Sequence, residues 1–127
     1  MQGEDHTEAH DVWLDDGVIM VRLHTEQAAL EEQAAGMRAM EQLARAGGGR
    51  ARMIVDLGRQ RIMPRGIRKA GVEAIDWSLF ERIAFVFHNP VQRAIAAMLI
   101  ELNKPTAMTM DVKMAGNVEE ASAWIRR

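Results

Sequence analysis

Short apolar runs separated by turn residues predict five β-strands. Residues 12–14 and 18–23 flank an Asp-Asp-Gly sequence, which is typical of a β-hairpin because aspartate and glycine tolerate the positive φ angles of a tight turn. The mostly apolar runs 53–57 and 83–87 are typical of strands buried on both faces of a sheet. The shorter alternating run 106–110 predicts a last strand.

The stretch between the hairpin and the run at 53–57 has helical spacing. Thr25 is a suitable N-cap for a helix that ends near Ala46. Its apolar stripe is formed by Leu30, Ala34, Met37 and Ala44. Three glycines at 47–49 then end the helix, because glycine adopts the left-handed backbone of a C-terminal cap without steric cost.

Residues suited to helix starts predict three further helices. Pro64 fits the first position of a helix that runs to about Trp77. Asn89, followed by proline, begins another helix that ends before Pro105. Asn117, with glutamate three residues later, has the spacing of a capping box. The apolar stripes of the last two helices are Val91, Ile95, Met98 and Leu102, and Val118, Ala121, Trp124 and Ile125.

The element order β-β-α-β-α-β-α-β-α predicts an α/β fold. Strands that alternate with helices form parallel sheets with right-handed crossovers, and the opening hairpin adds an antiparallel edge. We therefore predict a mixed, mostly parallel five-stranded sheet with about four helices. Residues 1–10 are expected to form a flexible tail, and residues 11–127 a single domain. Because a free hairpin edge is a natural pairing site, both a monomer and a homodimer remain open.

Composition limits the compartment and the chemistry. The 127 residues include no cysteine, which excludes disulfides, thiolate catalysis and cysteine-ligated metals. The N-terminus lacks the apolar core of a signal peptide, and no apolar run approaches the roughly 20 residues of a membrane span. A cytoplasmic protein without a transmembrane segment is therefore expected. Three tryptophans, three phenylalanines, no tyrosine and a net charge of −2 disfavour nucleic-acid binding.

Positive charge is concentrated in the middle of the chain. Residues 1–41 contain ten acids and two bases, whereas residues 42–72 contain eight bases and one acid, a formal charge of +7. Four of the bases surround the turn after the third predicted strand, namely Arg59, Arg61, Arg65 and Arg68. Ligands of open parallel sheets lie beyond the carboxyl ends of the strands, and arginine binds anions through bidentate contacts. The turn is a candidate site for an anionic ligand or an acidic partner, and the alternative is a solvated basic loop.

The element order and several short motifs resemble STAS domains, the fold of anti-sigma-factor antagonists. The motifs are Val-Trp-Leu-Asp-Asp-Gly-Val-Ile-Met-Val-Arg, Val-Asp-Leu, Ile-Arg-Lys, Asn-Pro-Val-Gln-Arg and Leu-Asn-Lys-Pro. They are similar to a bacterial branch of small uncharacterised proteins described as sporulation-protein-AA-like, or STAS-like. The resemblance covers about residues 11–127. It implies that Asp56 is the aspartate found at a strand end in these domains.

The resemblance also implies a function with one departure. In anti-sigma-factor antagonists an Asp-Ser pair opens a helix, and its serine is phosphorylated. Pro64 and Arg65 stand at those positions here, and no serine or threonine lies between Gly58 and Trp77. The expected function is therefore a non-enzymatic STAS-like protein-interaction or regulatory module without the phosphoserine switch. The alternative is a carrier of a small anionic or amphiphilic ligand such as a lipid, with an apolar pocket rimmed by arginines.

Other polar residues carry weaker signals. Asp56 is a candidate ligand-binding or catalytic carboxylate, although a lone strand-end aspartate also serves to hold the next loop. His6 and His10 have a spacing used for metals but lie in the predicted tail, and His24 and His88 follow strands. The chain has no recognisable nucleophile-base pair, phosphate loop or metal-ligand set. We therefore predict no catalytic residue, no metal and no cofactor.

Overall fold

Six strands form one sheet in the computed structural model, which describes residues 5–6, 10–24, 30–58, 76–94, 97 and 111–127. The strands are β1 (Asp5–His6), β2 (His10–Asp15), β3 (Val18–Leu23), β4 (Ala51–Asp56), β5 (Phe80–Val86) and β6 (Asp111–Ala115). They lie in sequential order across the sheet. The β1–β2 and β2–β3 pairs are antiparallel, whereas the pairs from β3 to β6 are parallel. The predicted α/β fold with a mixed sheet is confirmed.

Two strands differ from the prediction. The predicted last strand, 106–110, lies outside the described residues, and β6 occupies Asp111–Ala115 instead. β1 was not predicted, and both it and His10 at the start of β2 belong to the segment expected as a tail. A two-residue strand is too short to produce a hydrophobic period, so pattern could not have identified β1.

The helices also differ in number and order from the prediction. The described helices are α1 (Leu30–Ala46) and α2 (Val118–Ile125), with a 3₁₀ turn at Trp77–Leu79 and a helical segment at 90–94. The predicted helix from Pro64 lies outside the described residues except for its last two, Asp76, which is not helical, and Trp77, which begins the 3₁₀ turn. Among these described helices, none is both long and apolar enough to cross a membrane.

The hairpin of β2 and β3 forms as predicted. Asp16 and Gly17 have φ angles of 48° and 81°, and the strands pair from Asp15 and Val18 outward. Positive φ at both central residues matches the type I′ turn, whose twist fits that of the flanking strands. The Asp-Gly sequence therefore sets the register of the whole hairpin.

Each face of the sheet packs against one of the two helices. The face that packs against α1 contributes Ile19, Val21, Met53, Val55, Ile83 and Phe85 to the core. The opposite face contributes Val18, Met20, Ile54, Ala84 and Val86, which pack with α2. Consecutive side chains point to opposite faces of a strand, and burial on both faces explains the continuous apolar runs of β4 and β5.

α1 packs through a stripe that was only partly predicted. Ala44 is buried and Met37 packs at the margin of the core, as expected. Thr25 and the Leu30 side chain lie outside the described part of the chain, and Ala34 is half-buried. The buried residues that the prediction omitted are Ala39, Met40 and Leu43.

The glycines after α1 end the helix as predicted. The Gly49 N–H donates to Ala44 O and the Gly48 N–H to Arg45 O, both at 3.0 Å. This pair of hydrogen bonds is a Schellman motif, which requires a left-handed residue at the position of Gly48. Gly48 has a φ of 86°, so an L-side chain there would be strained.

α2 begins at the predicted cap and fastens to the sheet at its other end. Asn117 Oδ1 accepts a hydrogen bond from the Glu120 N–H at 2.7 Å, which satisfies one free donor of the first turn. Ala121 and Ile125 are buried, with Val118 and Trp124 packed beside them. Arg52 donates to Ile125 O at 2.7 Å and Arg82 to Trp124 O at 3.2 Å, so two cations meet the negative end of the helix dipole.

The helical segment 90–94 exposes a residue that was predicted to be core. Val91 is 52% exposed, whereas the adjacent Gln92 is fully buried. Ile95, Met98 and Leu102, the other members of that stripe, lie outside the described residues. The prediction was wrong at Val91 because Gln92 is drawn inward by hydrogen bonds to two neighbouring loops.

Candidate functional site

Charged residues form a row where the parallel strands end. Asp11 and Arg22 are cross-strand partners on β2 and β3, and Arg22 is in turn the partner of Asp56 on β4. His88 follows the end of β5 and reaches Asp56. We call Asp11, Arg22, Asp56 and His88 the polar row. It lies on the sheet face that packs against α2, because Arg22 and Asp56 alternate with Val21 and Val55 of the opposite face.

Asp56 is the centre of the polar row. Its Oδ1 accepts hydrogen bonds from the Gly58 N–H at 2.9 Å and from His88 Nε2 at 2.6 Å. Its Oδ2 lies 3.7 Å from Arg22 Nε. The residue is buried, and a buried carboxylate is tolerated only when it is paired and hydrogen-bonded. These contacts fix Asp56 in place, and Asp56 in turn holds the more exposed side chains of Arg22 and His88.

Gly58 brings the loop after β4 close to the end of β3. It has a φ of 54°, and a Cβ atom at this position would overlap Leu23 O. Any side chain would therefore collide with backbone as well as strain the left-handed conformation. The glycine allows the Asp56 carboxylate to accept the N–H two residues later, the hydrogen bond of an Asx turn.

Gln92 joins two of the loops beneath the row. Its Oε1 accepts from the His88 N–H and its Nε2 donates to Gly58 O, both at 2.7 Å. Its own N–H donates to Asn89 Oδ1 at 2.9 Å, which confirms Asn89 as a cap. Gln92 therefore fixes the loop that carries His88 relative to the loop that follows Asp56.

A second carboxylate–imidazole cluster lies at the β2 end of the row. Asp11 Oδ1 lies 2.8 Å from His6 Nδ1, and Asp11 Oδ2 lies 2.6 Å from His24 Nε2. Partial burial would raise the pKa of Asp11, but the hydrogen bonds from both imidazoles and their positive charge outweigh it, so this pKa lies below its ordinary value. Trp13 bridges the cluster to the row, because the His6 ring stacks on it at 6.5 Å and the Arg22 guanidinium lies 5.8 Å from its centroid.

The polar row has exposed side chains that are held by the buried Asp56 carboxylate. The side chains of Arg22 and His88 are 51% and 45% exposed. When His88 is neutral and donates from Nε2 to Asp56, its Nδ1 is an acceptor. No group of three potential metal ligands occurs among the described residues. The arrangement suits hydrogen bonding and ion pairing with a partner, because its exposed groups are already oriented by buried contacts.

The sequence-predicted site is only partly described. Asp56 lies at the strand end as expected. It holds the next loop, which was the structural alternative to a ligand-binding or catalytic role. Arg59, Arg61, Arg65 and Arg68 lie outside the described residues. His24 and His88 were noted as loop histidines, but their aspartate partners were not predicted. Gln92 was missed, although it stands three residues after the cap Asn89, where glutamine is typical of a capping box.

Comparison of the chain with protein-family models, with curated proteins and with solved structures finds no match.

Proposed function

We propose that this protein is a non-enzymatic interaction or regulatory module of STAS-like type that lacks a phosphoserine switch, with the polar row as its contact surface. The observation that carries the proposal is the anchoring of exposed Arg22 and His88 by the buried Asp56 carboxylate. A surface of this kind loses little side-chain entropy on binding, because its geometry exists before the partner arrives.

Binding is favoured over catalysis by the way the Asp56 carboxylate is used. Its oxygens face the Gly58 N–H, the His88 ring and the Arg22 guanidinium, so it holds a loop, an imidazole and a guanidinium in place. A general base must instead reach a substrate proton at about 2.6–3.2 Å. The two serines of the described chain lie on other elements, Ser78 in the 3₁₀ turn and Ser122 in α2.

The expected partner has acidic groups at the contact surface. Arg22 carries an exposed positive charge beside the His88 imidazole, and the basic segment that begins at Arg59 follows Gly58 directly in the sequence. Arginine is enriched among residues that dominate binding energy. Charges at the rim of an interface govern the rate and specificity of association more than the affinity itself.

Quantitative affinity capture tests this surface with matched variants. The Arg22→Gln/His88→Gln double variant removes the exposed guanidinium and imidazole of the row, and Arg50→Gln removes an 85% exposed arginine before β4, at the opposite end of the strand. Arg65→Glu tests the basic segment separately. Thermal unfolding of each variant checks that the fold is retained. We expect the double variant to lose partners that Arg50→Gln retains, and an unchanged partner set would contradict the proposal.

A ligand carrier is a second proposal, supported by apolar surface near the same edge. Phe87 is half-buried, with the Arg93 guanidinium 5.8 Å from its ring centroid, and Val91 in the following helical segment is exposed. An amphiphile could place its chain on these residues and its anionic head near Arg93. Native mass spectrometry of the purified protein tests this proposal: a co-purified lipid would support it, and a bare protein mass would count against it.

A further inference from the structure

The short strand β1 depends on side chains for its attachment to the sheet. Its two residues pair with β2 through Asp5 opposite Val12 and His6 opposite Asp11. Even a complete two-stranded hairpin is marginally stable in water, so a ladder of two residues contributes little. The contacts of His6 are therefore decisive for whether β1 stays on the edge of β2.

His6 contacts Asp11 and Trp13, and protonation of its ring strengthens the contact with Asp11. Its Nδ1 lies 2.8 Å from Asp11 Oδ1, and its ring stacks on Trp13 with an angle of 26° between the planes. A charge-assisted hydrogen bond is roughly twice as strong as a neutral one, so a protonated His6 binds Asp11 more tightly than a neutral one. The His6 side chain is 54% exposed, so it can exchange its proton with solvent.

Several charged and ionisable groups lie around Asp11. His24 holds the other Asp11 oxygen, while Arg22 is the cross-strand partner of Asp11 and also lies near Asp56. Two carboxylates and one guanidinium therefore carry a net charge of −1 before any imidazole is protonated. His10 is the neighbouring residue on β2, but it faces α1, where its ring lies against Gly36.

We propose that His6 is a proton-dependent latch that attaches β1 to β2 through Asp11 and Trp13. The attachment tightens when the His6 imidazole gains a proton and loosens when it loses one. The lowered pKa of Asp11 keeps its carboxylate ionised throughout this range. Ionised Asp11 contributes fully to the attachment of β1 above the carboxyl pKa of an unfolded chain, about 3.9. This contribution is lost only as the pH falls through the lower pKa that Asp11 has in the folded chain. β1 is thus bound more firmly when His6 is protonated and Asp11 is ionised, and its attachment weakens as the pH rises and His6 becomes neutral.

NMR of the full chain measures the latch directly. The strand population of Asp5 is read from its ¹³C secondary chemical shifts and from the cross-strand NOE between Asp5 and Val12 at pH 5.0, 6.5 and 8.0. We expect the ratio of attached to detached β1 to be about fivefold higher at pH 5.0 than at pH 8.0, given the greater strength of a charge-assisted hydrogen bond.

Two variants separate the latch from a general effect of pH. His6→Gln keeps a hydrogen-bonding side chain but cannot be protonated, so the Asp5 signal should become independent of pH whether β1 stays attached or not. His88→Gln is the matched control, because it removes the imidazole of the other aspartate pair and should leave the pH dependence of β1 unchanged. A wild-type Asp5 signal that is equal at pH 5.0 and 8.0, a pH dependence retained in His6→Gln, or one lost in His88→Gln would each overturn the proposal.

Discussion

Replacing Gln92 with leucine should test how far the polar row depends on buried hydrogen bonds. Leucine has a similar volume, so packing changes little, but it can neither accept from the His88 N–H nor donate to Gly58 O. Both backbone groups would be left with an apolar neighbour in a site where Gln92 itself is fully buried. The loss of partners, rather than a cavity, would therefore dominate the effect.

The expected magnitude follows from the two groups left unsatisfied. Each buried donor or acceptor without a partner costs about 1–3 kcal/mol, so the free energy of unfolding should fall by about 2–6 kcal/mol. Part of this cost is recovered if water reaches the Gly58 carbonyl, which places the expectation near the lower end. Because a domain is typically stable by about 5–15 kcal/mol, a loss of this size is measurable without complete unfolding.

Urea unfolding followed by circular dichroism measures this loss, with Gln42→Leu as the control. Gln42 is exposed on α1, so the same chemical change should alter stability there by less than about 0.5 kcal/mol. The slope of the unfolding free energy against urea should remain the same in all three proteins. If Gln92→Leu costs no more than Gln42→Leu, the buried network does not hold the His88 loop and the reasoning is refuted.

Three further predictions concern other elements. Gly58→Ala should lower the free energy of unfolding by about 3 kcal/mol or more, because the new Cβ meets Leu23 O in a left-handed conformation. Gly17→Ala has open space around it and should lower it by about 1–2 kcal/mol. Equal urea midpoints for the two variants would contradict the clash. Asn117→Ala should lower stability by about 1 kcal/mol through loss of the α2 cap, and an unchanged unfolding midpoint would show that the cap is unimportant. The hydrogen bond from Arg52 holds the pKa of Glu81 below its ordinary value. The pair therefore stabilises the fold above about pH 4.3, and this stabilisation is lost as the pH falls through the lower folded pKa. The melting temperature of Glu81→Gln should decrease less steeply with acid than that of the wild type, and parallel curves of melting temperature against pH would contradict the pairing.

Local signals in the sequence were sufficient for turns and caps. Asp-Gly predicted the hairpin, the three glycines predicted the end of α1, and Asn117 predicted the start of α2. Each of these features depends on residues within a few positions of one another, where backbone conformation is set by residue type. The apolar runs predicted β4 and β5 for a similar reason, since burial on both faces leaves a continuous pattern.

The candidate site could not be predicted in the same way because its contacts are distant in sequence. Asp56 and His88 are 32 residues apart, and they meet only because β4 and β5 are parallel neighbours in a particular register. The sequence placed both near strand ends, but it contained no signal for that register. The same limit explains the error at Val91. Apolar spacing predicted that Val91 would be buried, whereas hydrogen bonds to distant loops bury Gln92 instead.

The geometry of the polar row rests most directly on the hydrogen bond between Asp56 and His88 Nε2. Long-range ¹H–¹⁵N NMR of the histidine rings at pH 8 distinguishes which nitrogen carries the proton. We predict that neutral His88 has its proton on Nε2 and its acceptor on Nδ1, and that Asp56→Asn weakens this preference. A His88 ring protonated on Nδ1, or a mixture of tautomers that is identical in the wild type and Asp56→Asn, would contradict the anchored surface on which the proposed function depends.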